Sequence, residues 1–291
     1  MKVKIAKHTG FCFGVRRAVN IAEDSLKRKG KYFCLGAIIH NPQEVHRLFE
    51  KGLNIINDTK HLKKGDTLII RSHGLLPDLI DSVKAKGIDL IDATCPFVKK
   101  AQNISRALKD EGFDVVVVGE REHPEVKSIV GFASGKAEVV ENIKDTRRLK
   151  LKNSRIGILA QTTQSKENFH DLVAALLKRY NAKSNYSEVR IFNTICGDSA
   201  DRQQAAGKIS SVCDAMLVVG GKNSANSRRL ANICKSRVKR TFHIEAAKDI
   251  NPKWFKKTDR VGVISGASTP DWIIEEVIKK LRKKIHSPQR G

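Results

Sequence analysis

Aromatic residues are scarce, at 5% of the chain, and no RRM, KH or zinc-finger pattern appears. The sequence therefore lacks the usual means of reading nucleic acid, and no specific nucleic-acid partner is expected. No stretch approaches the 18 or so apolar residues of a membrane-spanning helix. The opening MKVKIAKHTGF is charged at every second or third position and lacks the apolar run of a secretory signal. A cytoplasmic chain with no membrane partner is expected. Cysteine is also sparse: six residues, at 12, 34, 95, 196, 213 and 234, the closest two 17 apart. That is too few for a disulfide scaffold. The absence of any CxxC or CxxxCxxC excludes local zinc ribbons and radical-SAM-type clusters, so a metal held by cysteines would need ligands gathered from distant parts of the chain. Acid is short as well, since 55 Lys and Arg face 31 Asp and Glu, giving a net charge of +24 and a pI near 9.9. The bases are spread along the chain without forming an arm, which reads as a solvated basic surface.

What is present is core-forming material, 40% hydrophobic against 30% charged residues, enough to exclude global disorder. Short β-branched runs alternate with helix-period segments from end to end: YFCLGAII, TLIIR, GIDLID, DVVVVG, RIGILA, EVRIF, AMLVVGG and RVGVISG. Continuous apolar strands separated by helices predict an α/β protein with parallel sheets covered on both faces. The periodicity predicts a first helix from about Phe13, ending before Gly30, and a last one over about Asp271 to Lys284.

GIDLIDATCP and EVRIFNTICG each run a strand into a turn that delivers a cysteine, and KVKIAKHTGFCFG does so more loosely. Functional groups of parallel α/β folds sit at such turns. Cys12, Cys95 and Cys196, spaced by 83 and 101 residues, predict three units: 13–95, 96–193 and 194–285, with segment 1–12 bringing Cys12 to a shared centre. Soft thiolates at three such positions suit iron–sulfur or zinc. Cys34, Cys213 and Cys234, one in a strand-like run and two on helix-like segments, read as small core hydrophobes.

His40, His73 and His123 each follow an apolar strand by one to five residues and are expected at sheet rims, as metal ligands or as hydrogen-bond donors to an anion. The other six histidines read as structural or exposed. Glu125 follows Pro124, where an acid caps a helix or serves as a reactive carboxyl. AMLVVGGKNSANSRRL, RVGVISGASTPDWII and RIGILAQTTQSKEN each pass from strand through small polar residues into a helix. Such turns aim amides and hydroxyls at an anion, and three of them suggest a phosphate-rich ligand held mainly by neutral donors. None is a Walker A loop or a G-x-G-x-x-G fingerprint.

GFCFGVRRAV, HNPQEVHRLFEKG, RSHG, IDATCPFV, HPEV, QTTQS, NTIC, LVVGGKNSANSRRL and SGAS, in this order across residues 3 to 280, resemble the 4-hydroxy-3-methylbut-2-enyl diphosphate reductase family. The resemblance implies three small parallel-sheet α/β domains around a central [4Fe–4S] cluster, one per chain, held by Cys12, Cys95 and Cys196. It implies that the substrate hydroxyl meets the open iron. The diphosphate would lie among His40, His73, His123, Ser224, Ala225, Asn226 and Ser268, with Thr162 near the hydroxyl and Glu125 delivering the proton. The implied reaction is a two-electron, two-proton reductive dehydroxylation giving isopentenyl and dimethylallyl diphosphates, with reduced ferredoxin or flavodoxin as donor. The basic surface would help to attract either the substrate or an acidic donor.

The chain departs from the family pattern at Ala225, where many members carry a second serine, so its backbone amide would have to serve. After the third cysteine it reads GDSADRQ, with Ser199 keeping a hydroxyl, and HPEVKSI replaces HPEVEGT. From the residues alone, a metal-dependent hydrolase of a phosphorylated small molecule remains the alternative. A basic RNA- or ribosome-binding protein draws on the charge alone.

Overall fold

The computed structural model describes residues 1–181 and 186–286. Its chain runs β1 (Lys2–Ile5), α1 (Phe13–Leu26), β2 (Tyr32–Leu35), α2 (Pro42–Glu50), β3 (Leu53–Ile56), β4 (Thr67–Ile70), α3 (Pro77–Ala85), β5 (Asp89–Asp92) and α4 (Pro96–Asp110). There follow β6 (Asp114–Val118), α5 (Pro124–Phe132), β7 (Glu138–Val140), α6 (Ile143–Thr146), β8 (Arg155–Ala160), α7 (Lys166–Asn181), β9 (Glu188–Phe192) and α8 (Gly197–Ser210). The last elements are β10 (Ala215–Val219), α9 (Ala225–Arg237), β11 (Thr241–Ile244), β12 (Arg260–Ser265) and α10 (Asp271–His286), with two 3-10 turns between β11 and β12.

Three four-stranded sheets result, β3-β2-β4-β5, β7-β6-β8-β9 and β11-β10-β12-β1, and every pairing is parallel. In order of position each sheet reads second, first, third, fourth strand. In the last sheet the fourth place is filled by β1, so the N-terminal segment completes a sheet whose other strands lie beyond residue 214. By internal contacts the chain divides into two units: Met1–Val15, His40–His46 and Gly197–Gly291, which hold the sheet containing β1, and Arg16–Ile39 with Arg47–Cys196, which hold the other two.

In the strands of the second and third sheets that carry the longest apolar runs, and in the fourth-place strands, burial follows place. The central strands β6, β8, β10 and β12 are buried at all but their first residue or throughout, whereas the edge strands β1, β5 and β9 have no fully buried residue. This is why the central strands read as unbroken apolar runs and KVKI does not. Apolar side chains cover both faces of the sheets: Leu217, Val263, Ile273 and Val277 pack on one side of the last sheet, and Met216, Val218, Ile264 and Leu230 on the other.

Two expectations are corrected. YFCLGAII is strand only to Leu35, because Gly36 turns the chain at φ +69°. Cys213, expected on a helical segment, lies in the turn between α8 and β10, where Val212 closes onto Ile209 and Asp214 already pairs with Arg260.

Candidate functional site

The topology sorts the singled-out residues into two sets. Each of Cys12, Cys95 and Cys196 follows a fourth strand and immediately precedes a helix, α1, α4 and α8 respectively. His73, Glu125, Thr162, Asn226 and Ser268 instead follow the two central strands of a sheet, where neighbouring connections leave in opposite directions and a crevice opens at the C-terminal strand ends. One hydrogen bond repeats in all three sheets. The cysteine amide donates to a carbonyl in the turn after the third strand: Cys95 to Ser72 at 3.0 Å, Cys196 to Thr162 at 2.9 Å and Cys12 to Ala267 at 3.0 Å.

In the unit holding β2 to β9, His73 sits after β4 and His123 after β6, their rings edge to face with centroids 5.6 Å apart. His123 caps α5: its Nδ1 accepts the Glu125 amide at 3.2 Å. That fixes Nδ1 as the acceptor nitrogen and leaves Nε2 to carry the proton of the neutral ring. The capping role considered for Glu125 thus falls to His123. The Glu125 side chain is 2% exposed, and its carboxyl accepts the Thr162 amide at 2.6 Å and the Thr162 hydroxyl at 2.9 Å. Burial pushes its pKa up to about 7, against the lowering effect of the two Thr162 bonds and with a smaller push from Glu120. A carboxyl half-protonated near neutrality can hold a proton for transfer.

Cys95 is the residue before α4, with Pro96 in the first turn. Burial raises its thiol pKa, while the Phe97 and Val98 amides, aimed at the sulfur, pull it down. Those amides favour thiolate, the form that binds metal. In the other unit the Cys12 Sγ accepts the Val15 amide at 3.4 Å. None of the six cysteines is in a disulfide, and Cys12, Cys95 and Cys196 are partly exposed whereas the other three are buried. Burial drives the Cys34 and Cys234 thiols to about 12, as expected of inert core residues. Each of these three partly exposed thiols opens a helix and is, in chemistry, the kind of donor that an iron–sulfur cluster takes.

The unit holding β10 and β12 gathers His40, Ser224, Ala225, Asn226 and Ser268. The Ser268 hydroxyl donates to the His40 carbonyl at 2.9 Å. Gly221 is required beside it, since a Cβ there would meet the same oxygen at 2.4 Å. The Ser224 hydroxyl caps α9 by accepting the Ser227 amide at 3.3 Å, so the helix-cap role is realised. Ala225 opens the helix and is buried. Its amide is one of the first-turn donors that no intrahelical carbonyl can satisfy. Asn226 is 2% exposed, yet neither its Nδ2 nor its Oδ1 has a hydrogen-bond partner among the described residues. The buried Ser227 hydroxyl shares that condition. It was not singled out from sequence, although its place three residues into a Ser-opened helix was a visible signal. Buried polar atoms are normally paired, so this helix end has the chemistry of a ligand site. Among the other six histidines, His243 bonds the Gly220 carbonyl at 2.9 Å, and the His286 side chain lies outside the described ones.

Residues 3–282 match the family model described as LytB protein. The chain is 47% identical over 281 residues to 4-hydroxy-3-methylbut-2-enyl diphosphate reductase of Geobacter sp. strain M21, covering 97% of each. It is 46% identical over 284 residues to the enzyme of that name from Aquifex aeolicus, covering 96% of this chain and 95% of the relative. A solved structure described as (E)-4-hydroxy-3-methyl-but-2-enyl diphosphate reductase, the terminal enzyme of the non-mevalonate pathway, is 45% identical with a TM-score of 0.70, over 97% of this chain and all of the other. The corresponding reductase of Plasmodium falciparum superposes with a TM-score of 0.89 at 27% identity, over 96% of this chain and 87% of the other. Among the described residues no helix is long and apolar enough to cross a membrane. With a family model matched from residue 3 to 282 and relatives near half identical over almost their whole length, the chain belongs to the LytB family.

Proposed function

We propose that the chain is a 4-hydroxy-3-methylbut-2-enyl diphosphate reductase, taking two electrons and two protons to remove the substrate hydroxyl as water and release isopentenyl and dimethylallyl diphosphates. The observation that carries the site reading is Glu125. It is a fully buried carboxyl poised near neutrality and bonded to Thr162, whose carbonyl in turn holds the Cys196 amide. A proton donor thereby stands one residue's backbone away from a cysteine anchor.

Cys12, Cys95 and Cys196 would hold one [4Fe–4S] cluster, in a chain of three domains over 13–95, 96–193 and 194–285, with Cys12 supplied by segment 1–12 and Cys95 and Cys196 lying beside the two domain boundaries. When bound, such a cluster supplies the electron path and a Lewis-acid iron open to the hydroxyl oxygen. Glu125 holds the proton that converts hydroxyl to water, and Thr162 orients that carboxyl through its amide and hydroxyl. His40, His73, His123, Ser224, Asn226 and Ser268, with the amide of Ala225, receive the diphosphate. Asn226 is suited to this because its amide group lacks an internal partner. Reduced ferredoxin or flavodoxin is the proposed donor and the cytoplasm the proposed compartment. The hydrolase alternative finds no support among the relatives, which carry the name of a reductase.

The test is anaerobic purification followed by oxidation of reduced methyl viologen on addition of 4-hydroxy-3-methylbut-2-enyl diphosphate. Substrate-dependent oxidation with five-carbon diphosphate products supports the assignment. A preparation containing iron and sulfide that shows no such oxidation overturns the substrate reading. One holding zinc and no sulfide returns the hydrolase to consideration.

A further inference from the structure

Two arginines stand at nearly the same offset from different cysteines, and each donates to two backbone carbonyls at a cysteine-bearing turn. Arg17, five residues past Cys12, forks across the carbonyls of Thr94 at 3.1 Å and Asp92 at 3.4 Å, in the turn that delivers Cys95. Arg202, six residues past Cys196, donates to the carbonyls of His8 at 2.6 Å and Ser265 at 3.3 Å, in and beside the turn that delivers Cys12. Arg202 is 2% exposed, and its guanidinium is held from behind by Asp198, Nε to Oδ2 at 2.7 Å and Nη2 to Oδ1 at 3.3 Å.

The turn before Cys12 needs such a hold. His8 lies at φ +59° and Gly10 at φ +80°, and a non-glycine residue in that region carries strain that its surroundings must offset. Gly10 leaves no alternative, because a Cβ there would meet Asp271 Oδ1 at 2.0 Å. The turn before Cys196 is built otherwise. The Thr194 hydroxyl bonds both the amide and the carbonyl of Ala160, which clamps that turn to the end of β8. At the matching offset past Cys95 stand Lys100 and Ala101, and Lys99 beside them pairs with Asp92.

We infer that Arg17 and Arg202 are positioning residues, each locking a cysteine-bearing turn through its carbonyls so that the thiols of Cys95 and Cys12 are set before iron arrives. A planar guanidinium holds several acceptors at fixed angles, two carbonyls on separate nitrogens for Arg17 and two carbonyls on Nη1 with Asp198 behind for Arg202. A lysine offers a single mobile charge, and groups that orient metal ligands govern retention of the metal. The inference rests on Cys12, Cys95 and Cys196 being the cluster ligands.

The experiment compares the anaerobically purified, cluster-loaded full chain with Arg17→Lys, Arg202→Lys and a control, Arg240→Lys, whose two bonds to Asp259 are both 2.8 Å and lie at the N-terminal ends of β11 and β12, the opposite ends from the turns of the three candidate ligands. Iron loss to a ferrous chelator and the EPR spectrum of the reduced chain are the readouts. Arg17→Lys and Arg202→Lys are expected to lose iron about tenfold faster or more with altered EPR spectra, while the control matches wild type. Arg17 is only half buried, so Arg17→Lys decides the matter alone if Arg202→Lys fails to fold. Wild-type loss rates and spectra in the variants that fold, or equal acceleration in the control, overturn the inference. Cys12→Ser, Cys95→Ser and Cys196→Ser separate the two levels. If these retain iron, the ligand reading falls and takes the inference with it. If they lose iron while the arginine variants keep it, only the inference falls.

Discussion

The crevice after β6 and β8 and the crevice after β10 and β12 have the same topology and opposite polar economies. In the first, Glu125 and Thr162 satisfy each other across the two central strands. In the second, Asn226 and Ser227 are as deeply buried, yet their side-chain polar atoms lack partners among the described residues. A self-satisfied pair holds a proton at a defined atom, whereas an unsatisfied pair at a helix N-terminus is complementary to an anion that brings its own acceptors. On the proposed reading, one repeated fold yields a proton site and an anion site by exchanging two turn sequences.

The sharpest way to break this comparison is Glu125→Gln. The amide keeps the shape and can still bond Thr162 but cannot deliver a proton. Turnover is expected to fall about a hundredfold to ten-thousandfold, with iron content unchanged. Single-turnover kinetics beside an iron assay checks both; near-normal turnover would remove Glu125 from the proton path.

The same carboxyl gives the fold a pH signature. Its ordinary pKa is 4.5, and burial lifts it to about 7. Below pH 4.5 both folded and unfolded chains carry the proton, so the group leaves stability untouched. Between 4.5 and 7 the unfolded chain releases it and the folded chain does not, so stability falls as pH rises; above 7 the loss levels off. The full effect is about 3 kcal/mol. It should appear as a difference between wild type and Glu125→Gln in urea unfolding of the cluster-free chain. Parallel curves for the two chains would mean the carboxyl is hydrated.

The two crevices should also respond oppositely to truncation. Thr162→Val strips a bond from a buried carboxyl and is expected to cost about 1–2 kcal/mol of stability. Asn226→Ala removes groups that lack partners, so stability should hold or rise while KM for the diphosphate rises about tenfold, near 1.4 kcal/mol of binding. Denaturant midpoints and steady-state kinetics on both variants separate the cases. A stability loss in Asn226→Ala would show that its amide serves the fold.

How far the sequence carries this comparison depends on burial. DVVVV, RIGILA, AMLVV and RVGVIS are visible because central strands are apolar on both faces, and the helix from Phe13 is visible in its period. KVKI is only partly buried on either side and reads as a strand only loosely, so the likeness of the Cys12 turn to those of Cys95 and Cys196 is visible in the sequence, while the pairing of β1 with β12 emerges only from the sheet. The candidate cysteines, histidines and Glu125 are legible as residue types at strand ends. The exchange of capping duty from Glu125 to His123 is not, because it turns on which side chain the backbone aims at the helix end. Nor are Arg17 and Arg202 legible, since their targets are backbone carbonyls 63 or more residues away.

The finest distinction within the anion crevice lies at Ala225, the position where many family members carry serine. Its side chain is buried at the first residue of α9, between the Ser224 cap and the unsatisfied Asn226. If the first-turn amides already supply the donor, adding a hydroxyl contributes only the surplus of one more neutral hydrogen bond, about 0.5–1 kcal/mol at most. Ala225→Ser should therefore lower KM by less than about fivefold and leave turnover unchanged, as steady-state kinetics on the two chains will show. A tenfold or larger gain would mean that the amide makes no contact with the diphosphate and that this chain binds its substrate through Asn226 and the histidines alone.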